Sequence, residues 1–216
     1  VITVVNAFGM TVYLITRHDD VKAALSDHER FSNARPEFAE ARTGNLLGLD
    51  PPDHTRLRRM LTGEFTMRRM KRLEPRIVEI VDAQLDAMAA AGSPADLVEG
   101  FALPIPSLVI CELLGVPYSD RDDFQRRSAR QLDLSIPMAE RVELQEQSRD
   151  YMQTLVTGAR SDPRDDMLGM LVREHGAELT DTELVGIAGL LLLAGHETTS
   201  NMLGLGTLAL PRHPAQ

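Results

Sequence analysis

Leu184-Val185-Gly186-Ile187-Ala188-Gly189-Leu190-Leu191-Leu192-Leu193-Ala194-Gly195 is the longest apolar run in the chain, and it leads into His196-Glu197-Thr198-Thr199-Ser200. The run is too short to span a bilayer and reads as a buried core helix. Thr180-Asp181-Thr182-Glu183, just before it, matches a capping box, in which a hydroxyl and a carboxylate satisfy free amides at a helix start. The pattern then breaks, because polar groups stand where packing asks for Leu. Burying such groups costs free energy unless they are partnered or have a task. A helical Thr can turn its hydroxyl onto the carbonyl one turn earlier, which for Thr198 belongs to Ala194. Such a bond can bend the helix or open a gap in its ladder. Gly195 would leave room there for a small ligand to approach the backbone. With Glu197 adding a titratable group beside a hydroxyl, the segment reads as a proton-delivery site beside a bound reactant. The competing reading is a polar helix end at the surface, with Glu197 and Ser200 solvated. A zinc-protease reading of His196-Glu197 fails, since its second His would fall on Ser200.

Upstream, the β-branched runs Val1–Val5 and Thr11–Thr16, separated by Asn6-Ala7-Phe8-Gly9, predict two strands and a turn. Asp19 or Asp20 is expected to cap a short helix over Val21–Ser26. Glu29–Asp50 is irregular and reads as a long surface loop, of the kind that often carries function. Asp50-Pro51-Pro52-Asp53 opens a helix carrying His54, Arg58 and Arg59. A second helix follows with Leu73, Ile77, Ile80, Val81, Leu85 and Met88 on one stripe, ending at Gly92-Ser93-Pro94. Leu103–Gly115 is apolar and helical. Charge-rich helices are expected at Asp120–Leu134 and Pro137–Arg160, and a shorter one around Met167–Val172, capped by Asp162-Pro163.

Composition narrows the class. The 216 residues are 43% apolar and 25% charged, which is ordinary for a globular protein. Trp is absent and aromatics are only 4%, so Leu, Ala, Val and Met must build the core, which favours helices. A net charge of −9 argues against nucleic acid as a partner. No secretion signal opens the chain and no run spans a membrane, so a cytoplasmic location is expected. One cysteine excludes an internal disulfide framework and suits a reducing compartment. The strand pattern at the first residue and the unfinished element after Leu210 suggest a piece of a longer polypeptide.

Two local features bear on binding. His54 and Arg58 stand one helical turn apart, and two donors on one face suit a carboxylate. The alternative is a solvated basic helix start. Arg56, Arg58, Arg59, Arg68, Arg69, Lys71, Arg72 and Arg76 form a basic segment in an acidic protein, able to steer an anionic partner or simply solvated.

Leu193-Ala194-Gly195-His196-Glu197-Thr198-Thr199 resembles the central long-helix motif of the cytochrome P450 family of haem-thiolate monooxygenases. Asp50-Pro51-Pro52-Asp53-His54-Thr55-Arg56-Leu57-Arg58-Arg59 is similar to the family's helix under the haem edge. Val12-Tyr13-Leu14-Ile15-Thr16-Arg17-His18-Asp19-Asp20-Val21 is similar to its first sheet and following helix. Order and spacing agree, the resemblance covers essentially the whole chain, and the pattern is that of soluble bacterial members. It implies a mainly α fold with a small β-sheet, P450-like and truncated after the long oxygen-binding helix, with residues 1–216 as one domain.

The resemblance also implies roles. Haem b is the cofactor and dioxygen the co-substrate. Thr198 would hydrogen-bond the bound oxygen, and Glu197, standing where many members have Asp, would relay protons. Ala194 and Gly195 would shape the oxygen groove, and His54 and Arg58 would hold a propionate. Leu46 and Leu47 are candidates for lining the pocket of a small apolar organic substrate. A ferredoxin or similar acidic redox protein would dock on the basic Arg56–Arg76 face. The family's axial cysteine and its Glu-x-x-Arg pair follow the long helix and have no counterpart here. Cys111 precedes that helix in an apolar stretch and reads as a buried structural thiol, not as a metal ligand. The isolated piece is expected to be inactive, with apolar faces that the missing helices would cover. Two other classes stay open: a degenerate module that binds a small apolar ligand without redox chemistry, and a helical regulator using the basic segment on nucleic acid.

Overall fold

The computed structural model of the chain describes residues 2–5, 9, 11–34, 43–63, 65–133 and 135–214, with the side chains of Arg68 and Leu132 also outside the description. The chain is mainly α with one two-stranded sheet among the described residues. β1 (Ile2–Val5) and β2 (Thr11–Leu14) pair antiparallel, Ile2 opposite Leu14 and Val5 opposite Thr11. The turn expected between them falls on residues 6–8, outside the described residues, as does the 35–42 part of the expected long loop. α1 (His18–Ser26) starts earlier than predicted. Asp19 and Asp20 sit inside its first turn, where a carboxylate meets the positive end of the helix dipole, and neither caps it.

Three helices follow in the first half. α2 (Asp53–Thr62) begins directly after Pro52. α3 (Met67–Ala91) ends at Gly92, whose φ of +85° a side chain would strain. α4 (Pro104–Leu114) follows a π turn at Val98–Ala102 and stops at left-handed Gly115. Then come α5 (Arg121–Leu132), α6 (Met138–Ser161), α7 (Met167–His175) and α8 (Asp181–Ala209). The cap of α7 is Asp166, whose carboxylate accepts the Gly169 N–H at 2.8 Å. This corrects the expected Asp162-Pro163, which lies too far ahead of the first helical residue to reach its free amides. The capping box of α8 is as expected. The Thr180 hydroxyl accepts the Glu183 N–H at 3.2 Å, and the Glu183 carboxylate accepts the Thr180 N–H at 2.8 Å.

The core gathers where α8 packs on α4 and α6, and Cys111, Leu114, Val156, Leu171, Leu184 and Ile187 are fully buried. Arg160 ties the end of α6 to the start of α8, donating to the Gly176 carbonyl at 2.6 Å and to Asp181 at 2.9 Å. Glu112 of α4 accepts from Arg76 of α3 and from Arg121 of α5, both at 2.7 Å. By contrast, the described residues of β1, β2 and α1 include no buried side chain. The C-terminal half of α8 leaves Met202, Leu205 and Leu208 exposed. No helix among the described residues is long and apolar enough to cross a membrane.

Candidate functional site

α8 has two unlike sides. Leu184, Ala188, Leu192, His196 and Ser200 recur one turn apart and are all buried. On the other side Ala194, Glu197 and Thr198 are exposed. The Thr198 hydroxyl donates to the Ala194 carbonyl at 2.7 Å, the back-bond expected from the local sequence. The expected gap in the ladder is not there, since α8 continues as α-helix through the motif. Gly195 also differs from expectation. A β-carbon there would stand 2.5 Å from Ile110 Cδ1, so glycine at this position allows close approach of α4 and leaves no cavity on that side. His196 is only 2% exposed, and its Nε2 donates to the Leu103 carbonyl at 3.2 Å. Burial holds its pKa below the ordinary imidazole range, against the opposing pull of that hydrogen bond and of Glu197. His196 is therefore a neutral core residue. The one-turn periodicity it shares with Leu192 was the signal for this.

α2 carries the second half of the site. His54 is half-buried and Arg58 exposed, one turn apart, and neither has a hydrogen-bond or ion-pair partner for its side chain among the described residues. The N-terminus of α2 is fixed by Asp50. Its carboxylate accepts from the Ser32 hydroxyl and from the Asn33 N–H, and its carbonyl accepts the His54 N–H at 3.0 Å. These donors hold the Asp50 carboxyl below its ordinary pKa, the Ser32 hydroxyl foremost. Arg56, on the far side of α2 from His54 and Arg58, forms an ion pair with Glu183 at the start of α8. Burial alone would raise the pKa of Glu183, but the Thr180 amide and Arg56 outweigh it and hold it lowered. The helix presenting His54 and Arg58 is thereby pinned to the helix presenting Glu197 and Thr198. The segment ahead of α2 also lies close on α8: a β-carbon at Gly186 would stand 1.9 Å from the Thr43 carbonyl oxygen.

A cleft of about 820 Å³ opens between α6 and α8, within the size range of small-molecule sites. Its lining includes Leu190, Leu193 and Glu197 of α8, Arg149 and Met152 of α6, and Asn45. Leu46 and Leu47, the expected pocket residues, are not part of it. Leu46 is buried in the core, and Leu47 is 69% exposed because its short 3-10 turn points it outward. The segment reaches the cleft through Thr43 and Asn45 instead.

The basic segment is less free than its composition suggests. Arg56 pairs with Glu183, Arg69 with Glu174, Arg72 with Asp165, and Arg76 with Glu112 and Glu79. Arg58, Arg59 and Lys71 are exposed and have no such partner among the described residues. Cys111 is free and buried, and burial pushes its thiol up to about 12. A thiol held neutral in the core is unsuited to ligate iron. No group of His, Cys, Asp and Glu that could hold a metal ion occurs among the described residues. What the described residues offer a haem lies at its periphery. Two unpaired donors on α2 suit a propionate, and an acid–alcohol pair on α8 suits the oxygen-binding face.

Comparison with known proteins gives one answer. Residues 4–137 match the model of the family described as cytochrome P450. The chain is similar to cytochrome P450 FAS1 of Rhodococcoides fascians, at 49% identity over all of this chain and 58% of that protein. It is similar to pentalenic acid synthase of Streptomyces avermitilis, at 45% identity over 96% of this chain and 54% of that one. The solved structure of P450 StaH from glycopeptide antibiotic A47934 biosynthesis superposes with a TM-score of 0.86 at 42% identity, covering 99% of this chain and 58% of that one. The chain thus spans a little over half the length of the relatives it matches. Family members bind haem b and are monooxygenases. With the fold, the acid–alcohol motif on the long helix and this breadth of similarity, the chain belongs to the cytochrome P450 family.

Proposed function

We propose that the chain forms the proton-delivering half of a haem monooxygenase that inserts one atom of dioxygen into a small apolar organic substrate. When bound, haem supplies the redox and oxygen-activating chemistry. The residues described above supply orientation and protons. His54 and Arg58 bind a propionate carboxylate through charge-assisted hydrogen bonds. Glu197 collects a proton from solvent and hands it to Oγ1 of Thr198. Thr198 passes a proton on toward the reactant, its rotamer set by the bond to the Ala194 carbonyl. The exposed Ala194 and the backbone at Gly195 border the oxygen-binding side. The cleft between α6 and α8 takes the apolar substrate along Leu190 and Leu193. Arg59 and Lys71 form the basic surface for an acidic ferredoxin-type donor, and the enzyme works in the cytoplasm.

The observation that carries this reading is the two-sidedness of α8. One stripe is locked into the core, and the other presents Glu197 at the cleft and Thr198 on its carbonyl support. The test is Thr198→Ala in the complete enzyme. Loss of the hydroxyl should raise peroxide released per electron consumed by roughly an order of magnitude or more, in line with the weight of a positioned proton donor. Coupling that stays at the parental level would remove the relay.

A further inference from the structure

His196 is left without a task by the reading above, although it stands between Gly195 and Glu197. Its place is unusual for an imidazole. The ring is buried between α8, the start of α4 and the π turn at Val98–Ala102, and among the described residues its hydrogen bond is to the Leu103 carbonyl. A carbonyl only accepts, so Nε2 carries the proton. Leu103 lies at the junction of the π turn and α4, where the regular helical ladder is interrupted. Successive residues of a helix are turned by about 100°, so His196 and Thr198 face nearly opposite directions. Next to His196, Gly195 lets Ile110 of α4 come close, and Ser200 returns its hydroxyl to the His196 carbonyl at 2.8 Å. Beyond Leu192, only His196 and Ser200 of α8 are buried. At the motif itself the packed stripe of α8 thus narrows to His196 and Ser200, and among the described residues His196 makes the motif's side-chain hydrogen bond to another element.

We propose that His196 is a positioning residue: its Nε2–H to Leu103 bond fixes the roll of α8 against α4, and so aims Glu197 and Thr198. It touches no reactant and transfers no proton. This rests on the relay reading for its consequence in catalysis, but the fastening itself concerns this chain alone.

The test has three arms. In the unmutated full-length protein, ¹⁵N imidazole shifts should report a neutral ring protonated at Nε2, with slowly exchanging hydrogen; an Nδ1–H tautomer, or a rapidly exchanging proton, overturns the proposal. Next, His196→Leu fills the space without a donor, and His196→Gln keeps a donor at about the reach of Nε2. Amide exchange over residues 197–201 should quicken about tenfold in His196→Leu, as expected for loss of one buried hydrogen bond, and return to within threefold of parental in His196→Gln. Equal exchange in both variants, whether fast or parental, overturns it. If His196→Leu does not fold, His196→Phe, which keeps a ring and lacks the donor, takes its place. Finally, in the full-length holoenzyme, His196→Leu should release several-fold more peroxide per electron with substrate KM within twofold of parental, and His196→Gln should restore coupling. If exchange behaves as expected but neither His196→Leu nor Thr198→Ala changes coupling, the relay has failed and the fastening has not. If only Thr198→Ala uncouples, the positioning role is wrong.

Discussion

Glu112 illustrates how much one side chain can organise. Its Oε1 accepts from Arg76 and Arg121, and the Arg121 guanidinium lies 3.8 Å over the Tyr118 ring. Burial opposes its charge, but the two arginines outweigh burial and hold its pKa below the ordinary 4.5. Its stabilising effect is therefore complete above pH 4.5 and is lost as pH falls through the lowered folded value. Glu112→Gln leaves the buried Arg121 without its counter-charge and should cost about 2–3 kcal/mol at pH 7. In urea unfolding, parent and variant should converge in acid; a constant difference across pH would mean that charge is not the cause. Sequence legibility at this scale follows distance along the chain. The Thr198 bond to Ala194 was readable because both groups lie on one helical turn. The partners of His196, Arg56 and Glu112 were not, because Leu103, Glu183 and Arg121 are brought to them by tertiary packing. That Leu46 turns into the core and Leu47 outward was unreadable for a related reason: hydropathy alone cannot say which of two adjacent leucines a 3-10 turn will bury.

Among elements, α2 and α8 form the pair on which the proposed chemistry depends. The Arg56–Glu183 ion pair joins them, and Glu183 also closes the capping box of α8. A double-mutant cycle with Arg56→Met and Glu183→Gln should give a coupling energy of about 1–3 kcal/mol in urea denaturation, the range for residues in one network. Additivity within about 0.3 kcal/mol would mean the two helices are held by packing alone. Strong local signals set the element boundaries well: Thr180-x-x-Glu183 for α8, Gly92 for the end of α3, Gly115 for the end of α4. Where several acids compete, as at Asp19, Asp20, Asp162 and Asp166, the choice depends on which backbone turns first, and sequence offers no ranking.

At the scale of the whole molecule, an acidic protein of net charge −9 keeps a small basic surface. Four arginines of that segment are engaged with carboxylates, so Arg59 and Lys71 are the sharper probes of partner docking. Charge reversal of both should slow electron delivery by an acidic ferredoxin several-fold at low ionic strength, with the difference fading as salt approaches the molar range. Equal rates at low salt would send the donor to another face. The helical architecture was legible because apolar periodicity is long and regular, and the strand pair because two β-branched runs flank a turn-like segment. The cleft between α6 and α8 was not, because it is bounded by Asn45, Arg149 and Leu193, residues far apart in sequence.

The buried Cys111 has a practical corollary. A chain with a single cysteine, sealed in the interior and held as a neutral thiol, and with no tryptophan, is chemically and optically silent toward maleimide dyes and near-red-edge excitation. One new cysteine on α2 and another on α8 would be the sole attachment points for a donor–acceptor dye pair. The separation of the two helices could then be followed in solution, molecule by molecule, with the native thiol left in place.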